Sequence, residues 1–317
     1  MDKAQIEAEI VRLVDRFGPW TYDIPLPHGV WTRGNQRIPH TRLKRVVQIA
    51  ADFAAKPISE CRVLDLGCLD GIFSIEFALH GASTIGVEIR ESNIEKARFA
   101  QKCLNLSNVS FVRDDVRNIT SERYGIFDII ICSGILYHLD AESVFLLIEK
   151  MYNMASRAAI IDTHISLNPT FSIRHNGISY HGHNYGEHVD GELQDSKNKK
   201  PWSSYDNAQS LWLTRPSLVN ALSSAGFVSV YECFVPAHLN FGRPGLEAID
   251  RCTFVAVKGE QTRLHTAPLA NSLTELWPEG SLAYSTATTS SKPIYPRTIR
   301  DRIRRWALVR LRRYLEA

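Results

Sequence analysis

The sequence predicts an α/β fold built on a mostly parallel sheet covered on both faces, and three observations carry that prediction. Residues 61–88, CRVLDLGCLDGIFSIEFALHGASTIGVE, read in unbroken order as strand, tight loop, helix and second strand. Residues 127–132, FDIIIC, are β-branched and apolar apart from one aspartate, a composition that suits a central strand buried on both sides. Helical and strand-like segments alternate around these two stretches, which is the rhythm of consecutive βαβ units.

Composition sets the frame. The chain has 317 residues, 44% of them hydrophobic, enough for one large domain with additions. No run of about 18 uninterrupted apolar residues occurs, and the first residues, MDKAQIEAEI, carry acids where a secretory signal has a basic and then an apolar region. The six cysteines are scattered and form no CxxC pair. They read as reduced core thiols of a cytoplasmic protein. A net charge of +3 is too small to imply nucleic acid by itself.

Residues 1–56 read as a cover. A helix over 4–17 sets Ile6, Ile10, Leu13, Val14 and Phe17 at helical intervals and stops at Gly18-Pro19. The aperiodic, aromatic stretch after it runs as an ordered surface loop in which Trp20, Tyr22, His28 and Trp31 either wall a pocket or pack on the core. A helix over 41–54, with Leu43, Val46, Val47 and Ala50 inward, leads to the first strand.

That strand turns at Gly67. Ile72, Ile75 and Leu79 then give the following helix an apolar stripe, Asp70 suits its start and Gly81 its end. Glu88 closes the second strand about 20 residues after the loop, the offset at which a carboxylate takes a ribose hydroxyl pair. The GxGxxG of a dinucleotide site is absent. The loop Asp65-Leu-Gly67-Cys68-Leu-Asp-Gly71 instead resembles the DxGxGxG loop of class I S-adenosylmethionine-dependent methyltransferases, with Leu69 in place of the middle glycine.

The resemblance extends from about residue 57 to 259. It implies a Rossmann-like, seven-stranded, mostly parallel sheet whose last strand is antiparallel, and S-adenosylmethionine as cofactor. Asp65, Gly67, Cys68 and Gly71 fall at its methionine portion and Glu88 at its ribose. After the strand 109–112, Asp115 matches best the acid beside the adenine amino group, with Asp114 adjacent. An acceptor suits that place because a buried, unpaired amine costs about 1 to 3 kcal/mol; a helix N-cap is the other role open to either aspartate. The end of the fourth strand, Ser133-Gly-Ile-Leu-Tyr-His138, is similar to the GxLYH-type segment of a bacterial subset of the family. Ser133, Tyr137 and His138 therefore face cofactor and acceptor. His138 is the candidate general base and Tyr137 its partner in orienting the reactants.

A helix over 143–154 and a strand over 158–162 follow, ending in Asp162-Thr-His164 beside the site. Residues 166–213 then break the alternation with polar, aromatic, His-rich sequence, read as an insertion on the acceptor side. Its array His181, His183, Glu187, His188 has no helical or hairpin spacing beneath it, which disfavours a metal, and none is expected. Tyr180, Tyr185, Glu187 and His188, with Trp31 and His164, are assigned to a hydroxylated acceptor, and Trp202 to a stacking face. A helix from Thr214 and strands over 227–234 and 252–258 complete the domain.

Residues 260–295 read as a linker. Residues 296–317 form a basic amphipathic helix, whose arginines surround Ile299, Ile303, Trp306, Leu311 and Tyr314. Its stretch 296–315 points to peripheral contact with the inner membrane face. The implied activity is O-methylation of a hydroxylated small molecule, sugar or glycolipid. A tRNA (wobble uridine-type) methyltransferase and a non-catalytic cofactor-binding scaffold are the other readings.

Overall fold

The computed structural model describes residues 1–34, 41–198, 200, 202–233 and 250–260. The predicted linker beyond residue 260 and the basic helix 296–317 lie outside the described residues. The strands are β1 (Arg62–Leu66), β2 (Ser83–Glu88), β3 (Val109–Arg113), β4 (Phe127–Ser133), β5 (Ala155–His164), β6 (Phe171–His175), β7 (Ile178–Gly186), β8 (Gln209–Leu213), β9 (Ser229–Cys233) and β10 (Arg251–Val257). The helices are α1 (Lys3–Phe17), α2 (Thr41–Phe53), α3 (Ile72–Leu79), α4 (Glu91–Cys103), α5 (Ser121–Tyr124), α6 (Ala141–Met154), α7 (Gln194–Asn198) and α8 (Arg215–Ser224).

The main sheet has seven strands in the order β3-β2-β1-β4-β5-β10-β9. The first five pair in parallel, and β10 is antiparallel to both β5 and β9. Alternate residues of each central strand feed opposite faces. Leu64, Leu66, Ile130 and Cys132 pack with Phe145, Ile148 and Met151 of α6 and Leu218 and Leu222 of α8. Val63, Ile129 and Ile131 pack on the other face with Ile6 and Leu13 of α1, Val46 and Ile49 of α2, and α3. Each such side chain contributes about 1.5 to 3 kcal/mol by leaving water, which is why the β4 run tolerates so little polarity.

Two local readings change. Asp70 does not cap α3: the N-cap is Gly71 in the left-handed region, without a side-chain bond. The Asp70 carboxylate instead accepts from the backbone N–H groups of Thr21 and Tyr22, at 2.6 and 2.9 Å. A buried acid therefore ties the N-terminal loop to the nucleotide loop, and burial raises its pKa to about 6. The second change concerns the His-rich run, which does have an element beneath it. Residues 178–186 form β7, the middle strand of a second, three-stranded antiparallel sheet, β6-β7-β8. The glycine between His181 and His183 is required by strand contact, since a Cβ at Gly182 would stand 2.4 Å from the Trp212 carbonyl oxygen.

Candidate functional site

The loops beyond the carboxyl ends of β1 to β4 and the start of β10 enclose one pocket, where open α/β sheets bind ligands. Its walls include Gly67, Leu69, Glu88, Asp114 and Asp115 toward the β3 edge, and Ser133, Tyr137, His138 and Arg251 beyond β4. Tyr22 and Arg42 come from the N-terminal cover, and Trp202 to Asn207 from the insertion.

The β1 turn is built for close approach. Gly67 has φ +66°, and a Cβ there would meet Ile135 at 3.0 Å. At the end of β2 the two Glu88 oxygens accept from the N–H groups of Leu69 (3.1 Å) and Arg90 (2.8 Å). Glu88 lines the pocket, and a carboxylate can accept more bonds than these two, which suits a vicinal diol. Burial raises the Glu88 pKa, against the pull of those two bonds and the Arg90 charge. Beyond β3, Asp115 caps the turn Val116–Asn118 by accepting from Arg117 N–H at 2.8 Å, and also pairs with the Arg117 guanidinium. Asp114 is engaged by the Tyr124 hydroxyl and Arg123. Ser133 Oγ is buried and makes no hydrogen bond among the described residues. A ligand with a diol at one end and polar groups at the other fits these atoms, as an adenosyl amino acid does.

Other predicted residues stand behind the pocket. The Asp65 carboxylate accepts from Ser74 N–H and Oγ at 3.1 and 2.7 Å, holding α3 against β1. Cys68 is buried, and Gly71 makes room for Phe111, whose ring a Cβ would meet at 2.7 Å. Burial raises the Asp65 pKa to about 7, with the Ser74 bonds acting the other way. An acid whose folded pKa exceeds its ordinary value of about 3.9 favours the fold in full below pH ~4, and that contribution is gone once the pH passes 7. Asp65→Asn, which cannot ionise, should therefore gain on the native protein by a few kcal/mol between about pH 4 and 8. Urea midpoints across that range check it; a constant gap between the two proteins counts against it.

On the acceptor side, His138 Nδ1 lies 2.8 Å from Glu187 Oε1. That oxygen also accepts from Ser210 Oγ at 2.7 Å, and Oε2 accepts from Ser204 N–H at 3.0 Å. Burial alone would raise the Glu187 pKa, but the bonds from His138, Ser204 and Ser210 hold it below the usual value. An ionised carboxylate only accepts, so Nδ1 carries the proton, and in the neutral ring Nε2 carries the lone pair. The insertion fixes this segment further: Trp212 Nε1 donates to the Tyr137 carbonyl and Leu211 N–H to the Leu139 carbonyl.

The structure separates the predicted acceptor residues. Tyr137, His138 and Trp202 line the pocket; Trp31, His164, Tyr180, Tyr185, Glu187 and His188 do not. Tyr180 is 1% exposed and packs on Phe145, so it belongs to the core. His164 and Tyr185 both stack on Trp212, and His188 donates to the Ser204 carbonyl. Glu187 reaches the pocket wall through its hydrogen bond with His138. Among the described residues no group of three or more His, Cys, Asp or Glu is placed to hold a metal.

Sequence reasoning missed the arginines. Arg90 donates to the carbonyls of Lys200, Ser203 and Ser204, while Arg117 bridges Asp115 to Asp206. These two fasten the strap Trp202–Asn207 over the nucleotide side. Arg42 and Arg251 lie at the β10 end. No motif marks any of them, and their partners are more than 80 positions distant in most cases; only the place of Arg90, two residues after Glu88, gave a signal.

A seven-stranded sheet with antiparallel β10, and an acid-lined pocket over β1 to β4, define a class I methyltransferase fold. Residues 58–200 match the family described as "Methyltransferase domain". It is 24% identical over 145 residues to the ubiquinone biosynthesis O-methyltransferase of Rickettsia prowazekii (strain Madrid E), a match covering 44% of this chain and 55% of that protein. The Acinetobacter baylyi (strain ATCC 33305 / BD413 / ADP1) protein of the same name is 28% identical over 98 residues, covering 31% of this chain and 39% of its own. The chain thus spans about half the length of these curated relatives, or less. The N-terminal domain of EvdMO1, solved in the presence of SAH and D-fucose, shares the fold with a TM-score of 0.60 at 22% identity, over 81% of this chain and 96% of that one.

Proposed function

We propose that the protein transfers a methyl group from S-adenosylmethionine to a hydroxyl oxygen of a small molecule, with His138 as general base. The observation that carries this reading is the His138–Glu187 pair at the pocket wall: a hydrogen-bonded carboxylate fixes the ring so that Nε2 can take a proton. S-adenosylmethionine supplies an activated methyl on a sulfonium when bound. Gly67, Glu88 and Ser133 would hold it, and Asp114 or Asp115 its adenine. Tyr137, braced by Arg251 Nη1 at 3.3 Å, would orient the hydroxyl, and the strap over Arg90 and Arg117 would exclude water. Alignment supplies much of the acceleration in such a site, and the base a further factor of about 10² to 10⁴. A sugar or glycolipid is one such acceptor.

Calorimetry with S-adenosylhomocysteine tests the cofactor half. Incubation with methyl-labelled cofactor and fractionated extract tests the acceptor half. Saturable binding with label in the small-molecule fraction is expected; label confined to RNA would overturn the acceptor class.

No helix among the described residues is long and apolar enough to cross a membrane. We infer from the arginine pattern of 296–315 a peripheral contact with anionic lipid. Liposome flotation of the full chain against a chain ending at 295 checks it, and equal flotation of the two would remove the inference.

A further inference from the structure

The floor of the pocket beyond β4 holds an excess of positive charge. Asp162, on β5 and 2% exposed, is approached by three guanidinium groups. Arg251 Nε donates to its Oδ1 at 2.6 Å, Arg42 Nε lies 3.8 Å from the same oxygen, and Arg45 Nη2 lies 3.7 Å from Oδ2. Thr253 Oγ1 donates to Oδ2 at 2.8 Å and accepts from Arg45 at 2.6 Å. Among the described residues three cations therefore share one carboxylate. The acids that line the pocket among the described residues stand toward the other end, where Glu88 accepts backbone N–H groups, Asp115 and Asp206 hold Arg117, and Asp114 takes Arg123. Asp250, next to Arg251, faces His164 at 3.3 Å.

Two of the three arginines, Arg42 and Arg251, line the pocket itself. Arg42 makes no hydrogen bond to Asp162 at its distance, and among the described residues its guanidinium has no other hydrogen-bond partner. Arg251 keeps Nη2 toward Gly134, where a Cβ would stand 3.5 Å away. The cofactor does not balance this charge. S-adenosylmethionine carries a sulfonium and an ammonium against a single carboxylate, so it brings net positive charge and does not offset the local surplus of Arg42, Arg45 and Arg251 over Asp162. Like charges held together in a half-buried cleft repel, and the remaining occupant is the acceptor.

We propose that the acceptor carries an oxyanion, a carboxylate or a phosphate, which Arg251 and Arg42 hold while its hydroxyl faces His138. The planar, multi-donor guanidinium matches either group in a bidentate way. This deepens the reading of the pocket as a methyl-transfer site and rests on it.

The test uses the full chain loaded with S-adenosylhomocysteine and two matched probe pairs, 3,4-dihydroxybenzoate against 3,4-dihydroxybenzamide and glucose 6-phosphate against glucose. The charged member of at least one pair should bind about tenfold tighter, as each tenfold reflects one added strong contact. The pair that responds tells carboxylate from phosphate. Arg251→Gln should reduce that preference to about threefold or less. Because Arg251 also pairs with buried Asp162, Arg42→Gln is run beside it; Arg42 is more exposed, and its replacement should weaken the same preference. Equal binding within both pairs, undetectable binding of all four probes included, overturns the proposal, as does a preference that survives in both variants. Failure of wild-type protein to bind S-adenosylhomocysteine at the outset would instead overturn the cofactor reading.

Discussion

His138→Gln should lower methyl transfer by about 10² to 10⁴ while affinity for S-adenosylhomocysteine stays within about threefold. Glutamine is the informative replacement because it keeps a donor for Glu187. An alanine would leave a buried carboxylate short of a partner, at a cost of about 1 to 3 kcal/mol, and would confuse loss of chemistry with loss of structure. The Glu187→Gln variant sharpens the same point. Ser204 N–H and Ser210 Oγ both donate to Glu187, so a neutral amide there competes for two donors and can turn its own NH₂ toward His138 Nδ1. That forces the ring proton onto Nε2, the atom that must accept, and turnover should fall at least tenfold with the fold intact. Single-turnover rates with labelled cofactor, read beside calorimetry, check both variants. Unchanged turnover in His138→Gln would exclude the base and reduce His138 to a packing group beside Tyr137, whose ring centroid is 4.2 Å away.

The parts of this site that sequence made legible are those whose chemistry is local. The turn at Gly67, the acid closing β2 and the Ser133–His138 segment each follow a strand whose apolar run is unmistakable, so their place beyond the sheet follows from topology alone. The insertion was opaque for the opposite reason. Tyr180 and Tyr185 lie five residues apart on one strand, yet one is buried against Phe145 and the other is 43% exposed on Trp212. Which alternation faces the core depends on pairing with β6 and β8, a non-local choice that period 2 does not decide. The arginines were hidden for the same cause: Arg42 and Arg251 meet at Asp162 from opposite ends of the domain. Asp70 shows a third kind of loss, a residue with the right identity for a cap but with stronger donors 48 and 49 positions earlier.

Asp162→Asn should destabilise the protein by about 3 to 5 kcal/mol at neutral pH, the range found when one partner of a buried pair is removed. The amide has nearly the same size as the carboxylate, so packing is unchanged and the loss is electrostatic. Arg251, with its side chain 24% exposed, would keep its charge but lose its closest counter-ion, and Arg42 and Arg45 would repel it without compensation. The pH dependence distinguishes this from a packing defect. Burial alone would raise the Asp162 pKa, but the charges of Arg251 and Arg42 and the Thr253 bond hold it below the usual range. A depressed folded pKa contributes stability above the unfolded value of about 3.9, and that contribution is lost as pH falls through the folded value. The gap between wild type and Asp162→Asn in urea midpoint should therefore be widest from pH 5 upward and close below pH ~4. An oxyanion in the buffer should narrow it as well, since an anion seated between Arg42 and Arg251 stabilises both folded proteins but binds more tightly to the variant, in which the guanidinium groups have lost the competing charge of Asp162. A gap that ignores both acid and added phosphate would mean that the three guanidinium groups do not depend on Asp162 for their balance.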